Sequence, residues 1–300
     1  MAFYRPDPQM TAQLGDLLDR FAKKGRPGLH KSIGISWIRY DCPNPEPCSG
    51  FGTGWSEQKL FYPASVVKLV YALAVEAWLQ KDLLLDSNEL RKALKDMIAY
   101  SSNDATSLIL DLLSGTTSGP SLHGERWEAW QKQRLLINEW LRNFNWPELK
   151  EINCCQKTWS DGPYGRERDF YQDTNTNRNA LTTASIARLL EAVMTNGVVS
   201  PIACKKLRSL LSRSLDFRQR REDPENQIDG FLGEGLPQGT RLWSKAGWMS
   251  QARHDAIWCC LPQGPPMLLV VFSDGRQSAN DSFLLPALAK ELFKLHLERD

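Results

Sequence analysis

The segment from Ser65 to Gln80, SVVKLVYALAVEAWLQ, constrains this chain more than any other stretch. Its apolar spacing is helical over about four turns, and apolar residues occupy most of the circumference. A helix with so little polar surface must be surrounded by protein, so it predicts a central, buried helix. Ser65 and Lys68 lie one turn apart at its start, on one face.

The flanking segments supply what could surround it. Residues 1–24 read as a loop and then an amphipathic helix carrying Leu14, Leu17, Leu18 and Phe21. Residues 31–40 alternate and are β-branched, 41–50 hold three prolines and turn, and 51–61 return as a second strand. Helical spacing then recurs over 88–100, 104–113, 126–144, 183–194 and 200–215. Residues 145–180 are polar and lack a sustained period, which in a stretch that long points to a functional loop or disorder. Strands follow at 241–248, 254–261 and 267–273, and 282–297 closes the chain as a helix. This order predicts an α+β fold, an α/β sandwich: an antiparallel five-stranded sheet flanked by terminal helices, with an inserted all-helical lobe. The expected lobes are 1–62 with 214–300, and 63–213 with the long loop at about 145–180. A ligand pocket is expected at their seam.

Bulk properties exclude several functions. The 37 basic and 35 acidic side chains leave +2, too little to drive binding to a nucleic-acid backbone. Arg218, Arg220 and Arg221 are followed by Glu222, Asp223 and Glu225 and read as a locally neutralised loop. The first thirty residues hold no apolar run of signal-peptide or membrane-helix length. As written, the chain is expected in the cytoplasm; removal of a leader would place it outside. Seven cysteines include the adjacent pairs Cys154-Cys155 and Cys259-Cys260, and neighbouring cysteines rarely bridge each other. Reduced, mostly buried thiols are expected, with Cys42 and Cys48 the one plausible bridge. With no CxxC and four scattered histidines, no metal or other cofactor is expected. Oligomeric state is not indicated.

Three short motifs carry chemistry. Ser-x-x-Lys occurs at Ser56-Lys59, in a polar turn, and at Ser65-Lys68, where a Pro63-Ala64 turn enters the apolar helix. At the second place a helix N-terminus offers free N–H groups, and burial would lower the Lys68 pKa towards a useful base. Taken alone, the same pair reads more simply as an N-cap and a snorkelling lysine. Ser101-Ser102-Asn103 precedes another apolar helix; Ser101 could shuttle a proton and Asn103 grip a carbonyl, or both could simply cap. Lys245-Ala246-Gly247 lies on a strand where the glycine admits a close backbone approach, or it is an ordinary edge strand.

Together, and in this order, the three motifs resemble the active-site signature of class A β-lactamases and penicillin-binding proteins, from about Lys31 to the C-terminus. Gly230-Phe231-Leu232, Leu236-Pro237-Gln238-Gly239 and the closing FSDGRQSAND segment are similar as well. The resemblance implies a serine hydrolase or acyltransferase of β-lactamase/transpeptidase-like fold. Ser65 would be the nucleophile and Lys68 its base, with Ser101 and Lys245 relaying a proton to the leaving nitrogen. The backbone N–H groups of Ser65 and Trp248 would hold the oxyanion. Asn103 and Gly247 would bind substrate, and Lys245 and Arg253 would face its carboxylate; Arg253-His254-Asp255 reads equally as a cross-strand ion pair. Implied partners are β-lactams as acylating ligands and small-molecule or peptidoglycan-peptide substrates with D-Ala-D-Ala-type amides.

The chain departs from that pattern. Ser102 stands where Asp is usual, Ala246 where Thr or Ser is common, and Lys68 and Ser101 are only 33 residues apart. No Glu-x-x-Leu-Asn precedes Thr183 to supply a deacylating base. Glu148 lies too far upstream; Glu167 is better placed, or else is a surface glutamate paired with Arg166 or Arg168. These departures favour a penicillin-binding, D,D-peptidase-like protein over an efficient class A β-lactamase. A catalytically silent binding protein and a cytoplasmic serine esterase or amidase on the same scaffold remain the alternatives.

Overall fold

The computed structural model describes residues 3–172, 176–223 and 225–298. The chain divides into two compact units, Met1–Val66 with Thr182–Asp300, and Val67–Leu181.

The first unit is built on one sheet. Its strands are β1 (Arg5–Pro6), β2 (Ile33–Arg39), β3 (Phe51–Trp55), β4 (Ser212–Arg213), β5 (Arg241–Met249), β6 (Ala252–Cys260) and β7 (Met267–Asp274). Their spatial order is β1-β3-β2-β7-β6-β5-β4. The five central strands pair antiparallel throughout. The sheet is nevertheless seven-stranded and mixed, not five-stranded and antiparallel as expected, because β4 extends one edge and β1 joins β3 in parallel at the other. Two residues carry no readable alternation. β1 is set instead by backbone bonds from Arg5 N to Gly50 O (2.8 Å) and Asp7 N to Gly52 O (2.9 Å).

Both faces of the central strands are covered, so β6 is buried along its whole length. Alternate side chains of β2 and β7 (Ile33, Ile35, Trp37, Leu269, Val271) share a core with Leu14, Leu17 and Leu18 of helix Pro8–Lys23 and Leu288, Leu292 and Phe293 of helix Leu284–Leu297. Ser36, on the other face of β2, bonds Thr183 at 3.0 Å. Helix Thr183–Met194 packs there, against β2, β6 and β7. This moves 183–194 and 200–215 from the expected helical lobe into the sheet unit: their periodicity fixes an apolar face, not what that face covers. The arginine-rich loop contains a short helix, Phe217–Glu222, capped by Asp216, and Arg220 pairs with Asp229 at 2.8 Å.

The second unit surrounds helix Val67–Gln80, whose residues Val67 to Ala77 are all buried. Helices Asn88–Ala99 and Asn103–Ser114 pack on it, capped by the hydroxyls of Ser87 and Ser102. The single helix expected over 126–144 is two, Gly124–Arg134 and Leu136–Arg142, broken at Leu135. Among its described residues the aperiodic stretch contains the turn Pro147–Leu149 and the helix Arg166–Tyr171. It is closed at its base by an isolated bridge between Asn153 and Ala180.

Among the described residues Cys42 and Cys48 are exposed, unbridged thiols, so the one plausible disulfide is not formed, and the other five cysteines are buried thiols outside any disulfide. No helix of the described residues is long and apolar enough to cross a membrane.

Candidate active site

Ser65 sits in a 3-10 turn, Ala64–Val66, which runs into helix Val67–Gln80, so it precedes the α-helix and does not open it. Ala64 is held at φ 46°, a costly conformation for a residue with a Cβ. Strand β5 packs on this turn. At Gly247 the fit is so close that a Cβ would lie 2.9 Å from Ser65 N, 3.0 Å from Pro63 O and 3.1 Å from Val66 N. The backbone of β5 is therefore pressed against the backbone of the candidate nucleophile. His254, paired across from Gly247, braces the same turn. Its Nε2 donates to Tyr62 O at 2.9 Å while its Nδ1 accepts from Ser273 N at 3.1 Å. That pattern fixes the neutral tautomer, and burial pushes the imidazole pKa down to about 4.

Lys245, two residues before Gly247, is buried, and its Nζ donates to Gln227 Oε1 and to Ala246 O at 2.8 Å. The same Gln227 oxygen accepts from Ala246 N at 3.3 Å. Sequence reasoning missed Gln227: a lone glutamine in a polar loop gives no sign that folding will deliver it to a buried lysine. Among the described residues, Arg253, His254 and Asp255 of β6 enter no cross-strand ion pair. Arg253 donates to Ala279 O (3.0 Å) and Gly230 O (3.2 Å), and its guanidinium lies over the rings of Phe231 and Trp248. Burial lowers the Arg253 pKa. Asp255 accepts from Leu232 N and Ala256 N, and burial raises its carboxyl to about 7, against the pull of Lys245 and Arg213. Trp248 anchors its Nε1 on Ala279 O at 2.9 Å while 58% of its surface stays exposed.

In the second unit Lys68 is fully buried in the first turn of its helix. Its Nζ donates to Ser101 O (2.5 Å), Ser101 Oγ (3.2 Å) and Asn103 Oδ1 (2.8 Å). All three acceptors are neutral. Desolvation therefore goes uncompensated by a counter-charge, and the amine's pKa drops from 10.5 to about 7. Ser101 is held at φ 56°, a second strained backbone position. Three of the residues expected from sequence thus converge on one buried amine that can take up a proton near neutrality.

The profile of the β-lactamase enzyme family matches residues 80–294. The chain belongs to that family. The matched stretch includes Ser101, Asn103 and Lys245 and begins after Ser65 and Lys68. Comparison with curated proteins finds no match. Among solved structures, the chain is similar to a variant of PBP-A in its acyl-enzyme complex with penicillin G (15% identity, 98% of each chain covered, TM-score 0.66). It is likewise similar to a variant of the TLA-1 extended-spectrum β-lactamase (15% identity, 95% of this chain and 99% of the other, TM-score 0.66). A β-lactamase from Chitinophaga pinensis is a third relative (16% identity, 95% and 98%, TM-score 0.64). At such identities the likeness shows the fold.

Glu167 is neither on the surface nor paired with Arg166 or Arg168. It is fully buried, bonded to Arg134 Nη2, with Ser118 Oγ at 2.8 Å and Lys157 Nζ at 3.7 Å. Arg166 turns instead to Pro120 O at 2.9 Å. The carboxylate of Glu167 is thus taken up by a buried guanidinium and a hydroxyl.

Two outcomes follow from this geometry. Glu167→Gln leaves the buried Arg134 charge with only its longer contact to Asp111, 3.5 Å, and should cost on the order of 3 kcal/mol in urea unfolding. A loss below about 1 kcal/mol would show that the pair does not hold the unit together. Gly247→Ala forces apart two backbones that cannot swing aside, and should cost about 1–3 kcal/mol in the same assay.

Proposed function

We propose that this member of the β-lactamase family is a serine acyl-enzyme of the penicillin-binding, D,D-peptidase-like kind, with Ser65 as nucleophile. The observation that carries the reading is the state of Lys68, a buried amine at a pKa of about 7 in contact with Ser101 and Asn103. Neutral Lys68 takes the Ser65 hydroxyl proton as Oγ attacks the carbonyl carbon of a β-lactam or a D-Ala-D-Ala-type amide. The oxyanion is held by the N–H groups of Ser65 and Trp248, whose segments meet at Gly247. The C–N bond then breaks, and the departing nitrogen receives the proton that Lys68 took, passed on through Ser101, with Lys245 assigned to the same relay. Asn103 grips a substrate amide, and Arg253 with Lys245 attracts its carboxylate.

Slow deacylation is supported by the side chains around the amine. Those bonded to Lys68 and Asn103 are Ser101, Thr158 and Ser160, none of them a carboxylate. Glu167, the better placed of the loop glutamates, is engaged with Arg134. The covalent ester is therefore expected to outlast the attack. β-Lactamase turnover is the second reading, favoured by the relatives of known structure that carry that name.

Intact-protein mass spectrometry after exposure to penicillin G should show a long-lived single adduct that peptide mapping places on Ser65. It should be absent from Ser65→Ala and reduced at least about a hundredfold in Lys68→Ala. Because Lys68 must be neutral to accept the proton, acylation should rise with pH through an acid limb near 7. Rapid hydrolysis with no trapped adduct would establish the lactamase reading, and no adduct without hydrolysis would sink both.

A further inference from the structure

The Asn103 amide is held on its oxygen by two donors. Oδ1 accepts from Lys68 Nζ at 2.8 Å and from the Thr158 hydroxyl at 2.8 Å, while Nδ2 makes only a long bond, 3.5 Å, to Ser160 Oγ. Thr158 is buried and sits on the aperiodic stretch, where sequence gave no reason to single it out.

Its place is fixed from both sides. The neighbouring Lys157 is buried, with Nζ donating to Asp111 Oδ2 (2.8 Å) and Ser118 Oγ (2.7 Å) beside the Glu167–Arg134 pair. Gln156 is clamped through its backbone by the Asn179 amide, N–H to Oδ1 and Nδ2 to carbonyl, both 2.9 Å. The Gln156 carbonyl also accepts from Tyr71 Oη at 2.7 Å. Tyr71 lies one turn beyond Lys68 on the same helix face. Residues 156–158 are thus tied to the helix that carries Lys68 at two points, through Tyr71 and through Asn103.

We infer that Thr158 is a positioning residue for the acylation reaction, acting through Asn103; this rests on the acyl-enzyme reading above. Its hydroxyl keeps Oδ1 turned to Lys68 and leaves Nδ2 as the amide's outward donor for a substrate carbonyl. By sharing Oδ1 it also weakens that oxygen as an acceptor for the Lys68 ammonium, which favours the neutral amine. Loss of the hydroxyl therefore has two effects. Asn103 is less well oriented, and protonated Lys68 is better stabilised.

The test measures the rate of Ser65 acylation by a fluorescent penicillin across pH for the full chain, Thr158→Val and Thr158→Ser. Valine keeps the shape and removes the donor; serine keeps the donor. Thr158→Val should acylate on the order of tenfold more slowly near pH 7, with its acid limb moved to higher pH, and Thr158→Ser should stay within about threefold of the parent. A purely structural role would lower the yield of active protein without moving the limb. An unchanged rate and limb in Thr158→Val would overturn the inference, as would a serine variant as impaired as the valine one. Should the valine variant not fold, Thr158→Cys, a weaker donor of similar size, is scored on the same two readouts. If the parent chain itself is not labelled, the acyl-enzyme reading fails; if it is labelled and Thr158→Val is unaffected, only this inference does.

Discussion

A primary amine buried without a counter-charge is the constraint on which the rest of this molecule turns. An isolated ammonium in a low-dielectric interior costs several kcal/mol even after relaxation, and the usual remedies are a carboxylate partner or loss of the proton. Lys68 has no such partner among its bonds and is surrounded by Ser101 and Asn103. The apolar helix that carries it supplies the burial, and the Ser101–Asn103 turn supplies acceptors that bind the amine without fixing its charge. A pKa lowered to about 7 is a result of the packing. The strained φ of Ser101 fits the same account, since it turns both the carbonyl and the hydroxyl of one residue towards Nζ.

The first unit solves a different problem, holding a serine in a tight turn against a strand edge. It does so with backbone contacts, which tolerate almost no variation. Gly247 has no room for a methyl, and neutral His254 links the turn to β7 through Tyr62 O and Ser273 N. The imidazole acts here as a buried strut, donating on one nitrogen and accepting on the other, and its low pKa keeps it in that state over the pH range in which Lys68 changes charge.

What could be read from the sequence follows the length scale of each feature. Helix Thr183–Met194 and strands β2, β5, β6 and β7 carry enough periodic residues to be placed nearly to their ends, whereas the second strand, expected over 51–61, stops at Trp55. The β1 and β4 pairs are too short to have a period, so the sheet grew by two strands beyond expectation. Lys68, Ser101 and Asn103 each had an ordinary capping or surface reading and stood out only because their motifs occur together in one order. Gln227 and Thr158 did not, since their meaning arises only once distant loops are folded onto Lys245 and Asn103. Glu167 was misplaced for a related reason. Its partners Arg134 and Lys157 lie 33 and 10 residues away, beyond any local pattern.

The clamp at Asn153–Ala180, doubled by the Asn179 amide, has a bearing on how such a chain can change over time. It separates a fixed root from a free rim. Residues 156–158 are held by the root, whereas Ser160, Asp161 and Tyr164 are solvent-facing and far less constrained. Because even a doubling of loop length costs only about 0.6 kcal/mol of closure entropy, insertions and deletions at that rim are thermodynamically cheap. Changes in length and sequence can therefore accumulate at the crown of the loop while the residues beneath it stay where they are.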